Sequence, residues 1–235
     1  MKHLFIFLIL SFFVVSNFAE EKKDNSLRKT FIKAYHSFKE KKDEASFKNA
    51  LEIVNKMKNT PDDKVYAIAM ESYLYKIWSD VLLDEVVSQV DNAKIRDKFF
   101  IANLLLDKGE YEKAIKIYEE INKENPKWTC PWRHKGEAYY KMNDYVNAES
   151  AFLKSIEVQS KHTDAYLWLA KAQMKLGKYS EALASLDKGL ELVKKYQEKE
   201  EEVFPEDFYK VKIEIFELMN MLDSVKFYQD KLNSK

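Results

Sequence analysis

From Ser26 onward, apolar residues recur three and four places apart, the spacing that gives a helix one buried stripe and one wetted one. Phe31, Ala34 and Phe38 form one such stripe, and Phe47, Ala50 and Val54 form the next. Together they predict a helix pair over residues 31–62. Tyr66, Met70, Tyr73, Val86 and Val87 predict a second pair over residues 63–94, with Thr60 and Pro61 as the start signal of its first helix. The stretch from Val65 to Trp78 is apolar on nearly every face, which predicts a buried helix. Near the end, Val211, Ile215, Phe216, Met219, Met221, Val225, Phe227 and Tyr228 predict a closing pair over residues 208–231, with Ser224 at its small position.

Between these outer segments the pattern repeats. Residues 95–128, 129–162 and 163–196 align without gaps at a period of 34. Small residues recur at the eighth place (Ala102, Gly136, Ala170) and at the twentieth (Ala114, Ala148, Ala182), where two helix backbones approach closely. Gly109, Asn143 and Gly177 share one turn position, suited to the left-handed backbone that ends a helix. Tyr111, Tyr145 and Tyr179 follow two places later. Tyr118, Phe152 and Leu186, with Ile121, Ser155 and Gly189 three places on, give the second helix one packed face. Thr129 before Pro131, and Thr163 before Asp164, predict helix N-caps.

The stretches Gly109 to Ala114 (GEYEKA), Asn143 to Ala148 (NDYVNA) and Gly177 to Ala182 (GKYSEA) carry a resemblance to the tetratricopeptide repeat family. Pro126 stands where that family usually breaks its second helix. Ser160 and Lys194 replace this proline, and Gly189 replaces the usual alanine. The resemblance implies an all-α fold, a right-handed α-solenoid of stacked antiparallel helix pairs. Residues 26–94 would be degenerate helical repeats, 95–196 three full repeats, and 205–235 a degenerate capping pair. Each pair would expose an apolar face that only its neighbours cover.

The first 19 residues have a different layout. Met1, Lys2 and His3 precede an apolar run from Leu4 to Val15, then Ser16 to Ala19, then Glu20, Glu21, Lys22 and Lys23. The run falls short of the roughly 20 residues of a membrane-spanning helix, so it predicts a secretory signal cut after Ala19 or Ser16, with an uncleaved N-terminal anchor as the alternative. Only in that second case would the membrane be a partner. No cysteine follows the run, which excludes a lipoprotein. The expected location is exported, periplasmic or secreted, and a short signal with an unpaired cysteine favours a bacterial periplasm.

Composition narrows the function classes. Lysine plus arginine equals aspartate plus glutamate at 39 each, so no overall field draws nucleic acid or anionic lipid. Four glycines, all at repeat positions, leave none for a phosphate-binding loop. Cys130 is the one cysteine and cannot form a disulfide within the chain. Past the leader the histidines are His36, His134 and His162, with no HExxH, CxxC or nucleophile elbow around them. His134 and Glu137 share a helix side but lack a further ligand. No cofactor, metal or catalysis is expected.

By resemblance, the second, fifth, ninth, twelfth and thirteenth places of each first helix line a concave groove. They are Arg96, Phe99, Asn103, Leu106 and Asp107, then Cys130, Arg133, Glu137, Tyr140 and Lys141, then Asp164, Leu167, Lys171, Met174 and Lys175. Apolar anchors among basic groups suit an extended peptide or a helix. Where chaperone-tail receptors of the family grip a terminal carboxylate, this chain has Phe99, Asn103, His134, Asp164 and Trp168, and only Asn103 matches. The charged stretch Lys194 to Glu202 predicts an elongated last turn or a solvated linker, with an acidic docking site as the alternative. The expected function is an exported adaptor that binds a protein or peptide in its groove, possibilities including assembly of envelope or secreted complexes. The alternative is a constitutive structural subunit of an extracytoplasmic complex.

Overall fold

The computed structural model describes residues 26–196 and 205–233. Residues 1–19, expected to be a secretory signal, and most of the charged stretch before Pro205 lie outside them. Every described element is helical, and the residues fall into two units, up to Asp84 and from Glu85. No helix of the described residues is long and apolar enough to cross a membrane.

The first unit contains α1 (Ser26–Lys41), α2 (Glu44–Met57) and most of α3 (Lys64–Ser88). Asp43 caps α2 by accepting from the Ser46 N–H at 2.7 Å. Phe31, Phe38, Phe47, Val54, Met57, Ala67 and Leu74 form the core, and Phe47 lies flat on Trp78 with ring centroids 5.0 Å apart. Arg28 pairs with the buried Asp63 at 2.6 Å.

Two expectations fail here. Residues 63–94 do not form a helix pair: α3 runs unbroken to Ser88, because no glycine, proline or asparagine interrupts it. The start is three residues later than the Thr60–Pro61 signal suggests. Nor is α3 buried all round. Only Ala67 and Leu74 are fully covered, and Val65 is 81% exposed, since α1 and α2 can cover just one side of it.

The second unit stacks four helix pairs after a short 3-10 turn at Val90–Asn92. They are α4 (Ile95–Lys108) with α5 (Tyr111–Glu124), α6 (Thr129–Lys141) with α7 (Tyr145–Val158), α8 (Thr163–Lys175) with α9 (Tyr179–Tyr196), and α10 (Pro205–Leu218) with α11 (Leu222–Asn233). This is a tetratricopeptide-like α-solenoid. Each second helix packs on its partner and on the following first helix, while α4, α6, α8 and α10 also touch one another in sequence. The first helices therefore share the inner side of the stack.

The repeated small residues sit where the helices cross. Ala102, Ala170, Ala114, Ala148 and Ala182 are fully buried, as are Tyr118, Phe152 and Leu186 beside them. Gly109, Asn143 and Gly177 have φ of 86°, 63° and 74°. In each case the next residue's N–H returns to the carbonyl five before it, at 2.8, 2.9 and 2.9 Å, which closes the helix end. Asn220 repeats this turn between α10 and α11, and Lys42 adopts the same backbone between α1 and α2 at φ 51°.

The predicted caps are replaced by something else. Thr129 and Thr163 are the first residues of their helices, and neither Trp128 nor His162 before them makes a side-chain cap bond. The Thr129 hydroxyl instead donates to the Ser155 carbonyl at 3.0 Å, fixing the start of α6 to the end of α7.

Candidate functional site

Residues three, four and seven apart on α4, α6 and α8 project to the inner side together. Phe99, Asn103, Arg133, Glu137, Tyr140 and Lys171 are half-buried there, and Arg96, Asp107, Lys141 and Lys175 are exposed. Cys130 and Asp164 are half-buried as well. Leu106, Leu167 and Met174 differ from the expected groove residues: they are buried at 7%, 8% and 6% exposure. Leu167 and Met174 belong to the core shared with α9 and α10, because Phe208, Val211 and Ile215 of the last pair pack into the same cluster.

The half-buried residues form two groups. In the first, Phe99 packs on Trp128 at 4.8 Å and edge-on to His134 at 5.5 Å, while His134 stacks over Tyr118 at 6.0 Å. The Tyr118 hydroxyl donates to Asn103 Oδ1 at 2.6 Å, and burial pushes that hydroxyl's pKa far up. Arg133 pairs with Asp164 at 3.1 Å, linking α6 to α8, and approaches Glu137 at 4.0 Å.

Arginine can only donate, so the 2.8 Å contact between Arg133 Nη2 and His134 Nε2 makes Nε2 the acceptor. The ring proton then sits on Nδ1, which faces Glu137 Oε2 at 3.6 Å. Burial opposes ionisation of Glu137, but His134, Arg133 and Lys141 outweigh it and hold the carboxyl below its usual range. No group of three metal-ligating side chains occurs among the described residues.

The second group is Tyr140, Trp168 and Lys171. Tyr140 meets Trp168 edge-on at 5.3 Å, and the Lys171 ammonium lies over the Trp168 ring at 4.7 Å. Burial lowers the Lys171 pKa, opposed by the charges of Asp207 and Glu214 on α10. Sequence reasoning missed these two acids, because α10 lies outside the three aligned periods. It also missed Trp128, the last residue of a period, which only the fold returns to Phe99.

Profiles described as tetratricopeptide repeat match residues 98–127 and 139–198. Those two segments of the chain are tetratricopeptide repeats. Among curated relatives, human protein O-mannosyl-transferase TMTC2 is 28% identical over 95 residues, 39% of this chain and 11% of that protein. Mouse superkiller complex protein 3 is 32% identical over 79 residues, 34% of this chain and 5% of that protein. The chain thus spans only a small part of either relative. A solved structure of MamA (MSR-1 C2) is similar across 88% of this chain and 92% of its own, with a TM-score of 0.50 at 13% identity. That likeness is one of fold.

Proposed function

We propose that this tetratricopeptide-repeat protein is an adaptor whose inner face, on α4, α6 and α8, holds an extended segment of a partner protein or peptide. One observation carries the reading. Lys171 is half-buried on an indole face with no carboxylate at ion-pair distance among the described residues, and Lys141 and Lys175 on the same side are likewise unpaired. A half-desolvated ammonium that feels Asp207 and Glu214 without pairing with either is costly, and a partner's carboxylate would relieve that cost. Tyr140 and Trp168 beside it offer flat apolar contact to the same segment. The layout of the first 19 residues supports an exported protein working outside the cytoplasm.

A second reading, a built-in subunit of a larger complex, draws on the last helix pair, where Leu218, Leu222 and Phe227 are 58%, 72% and 52% exposed. The test is affinity capture from the native envelope with the protein and with a Lys141→Ala, Lys171→Ala, Lys175→Ala variant of equal helicity. A partner held by the parent, released by salt and lost by the variant supports the adaptor. Equal capture by both overturns the inner-face reading. Cell fractionation with N-terminal sequencing tests export, and a cytosolic chain starting at Met1 would refute it.

A further inference from the structure

The outer side of the second unit carries a different surface. Between α5 and α7, above α6, lies a groove of about 680 Å³ floored by Trp132, Lys135 and Tyr139 and walled by Val146 and Leu153. Helix α6 turns Arg133, Glu137 and Tyr140 to the inner side and these three floor residues away from it, as the 100° step per residue requires. Val146 and Leu153 are 64% and 49% exposed. They stand seven residues apart on α7, about 10 Å along one helix face.

The repeats provide an internal comparison. The eighteenth place holds Glu112, Val146 and Ser180, and the twenty-fifth holds Glu119, Leu153 and Asp187. Both outer repeats fill these wet positions with polar residues, so the fold does not require an apolar pair in the middle one. Charge separates the groove further from the inner face. Lys135 pairs with Glu119 at 3.8 Å, Lys154 with Glu157 at 2.9 Å, and Glu149 with Lys178 at 2.5 Å. Every charged residue of the lining is thus neutralised within the chain, and Lys135 also lies over the Trp132 ring at 4.5 Å.

We propose that this outer groove docks the apolar stripe of an amphipathic helix from a second protein, uncharged where it meets Val146, Leu153 and Trp132. The charge balance selects this occupant. A strongly acidic or basic segment finds no unpaired charge in the lining, whereas apolar side chains at i, i+3 or i+4, and i+7 match the spacing of the two exposed residues. Contact here excludes water from Val146 and Leu153 without breaking an ion pair. The site is separate from the inner face and does not depend on the reading of that face.

The test is a displayed library of helical peptides with uncharged apolar stripes. It is selected on the full protein and counter-selected on a Val146→Ser, Leu153→Asp variant, whose new residues are those the third repeat already carries. A selected helix that binds the parent at least about tenfold more tightly than the variant, with affinity unchanged as salt is raised, supports the proposal. Three results overturn it: no helix enriched over the variant, binding that falls steeply with salt, or a parent that self-associates while the variant is monomeric. The last would make the occupant a second copy of this chain.

Discussion

Gly189 lies directly against the ring of Phe208: a Cβ built on the glycine would stand 2.8 Å from Phe208 Cζ and closer still to Cε1. The third repeat lacks the alanine usual at this place because the last pair inserts a fully buried phenylalanine there. Gly189→Ala should gain about 1 kcal/mol of helix propensity and lose about 1–3 kcal/mol to overpacking, for a net loss. The change should cost less, or stabilise, in a Phe208→Leu background, and a double-mutant cycle by urea unfolding measures that coupling. Equal costs in both backgrounds would refute the contact.

Asn122 is 4% exposed, and neither of its amide atoms has a hydrogen-bond partner. The next repeats place Ile156 and Leu190 at the corresponding position. A buried amide without partners loses its hydration for nothing, a penalty of about 1–3 kcal/mol. Asn122→Leu should therefore raise stability by an amount in that range, seen as a higher melting temperature. A neutral or lower value would mean that the amide is bonded after all.

These two positions show where the sequence was informative and where it was not. Gly109, Asn143 and Gly177 were legible because only a few residue types adopt a left-handed backbone cheaply, so chemistry and period coincide. Lys42 makes the same turn with a residue that gives no such signal. The buried alanines were legible from register alone, but Gly189 needed Phe208, a contact from a helix outside the period. The inner face was legible in part for the same reason. Phe99, Arg133 and Tyr140, placed by the family resemblance, are half-buried on the first helices, whereas Leu167 and Met174 are buried by α10, whose placement no local pattern specifies.

Lys212 and Asp187 form an asymmetric pair. The Lys212 ammonium donates to Asp187 at 2.5 Å and to the Tyr228 hydroxyl at 3.0 Å; its side chain is 3% exposed, that of Asp187 67%. Removing the acid strands a buried cation, while removing the lysine leaves a carboxylate already in water. Asp187→Ala should cost about 1–3 kcal/mol, and Lys212→Met should cost less. The reverse order in chemical denaturation would show that Tyr228 alone satisfies the lysine.

Glu137 makes stability depend on acid. Its contacts with His134 and the charges of Arg133 and Lys141 outweigh its burial, so its folded pKa lies below the unfolded carboxylate value of about 4.3. A depressed carboxylate contributes stability that is fully present above the unfolded pKa. That stability is lost as pH falls through the folded one, because unfolding then takes up a proton. Glu137→Gln abolishes this titration while keeping the side chain's size. The stability gap between the two proteins should be fully present above the unfolded value of about 4.3 and should shrink as pH falls below it. Guanidinium unfolding at several pH values checks it. A gap as large at low pH as at neutral pH would mean that Glu137 is no more easily ionised in the folded chain than in the unfolded one, and that the Arg133–His134–Glu137 arrangement does not stabilise the carboxylate.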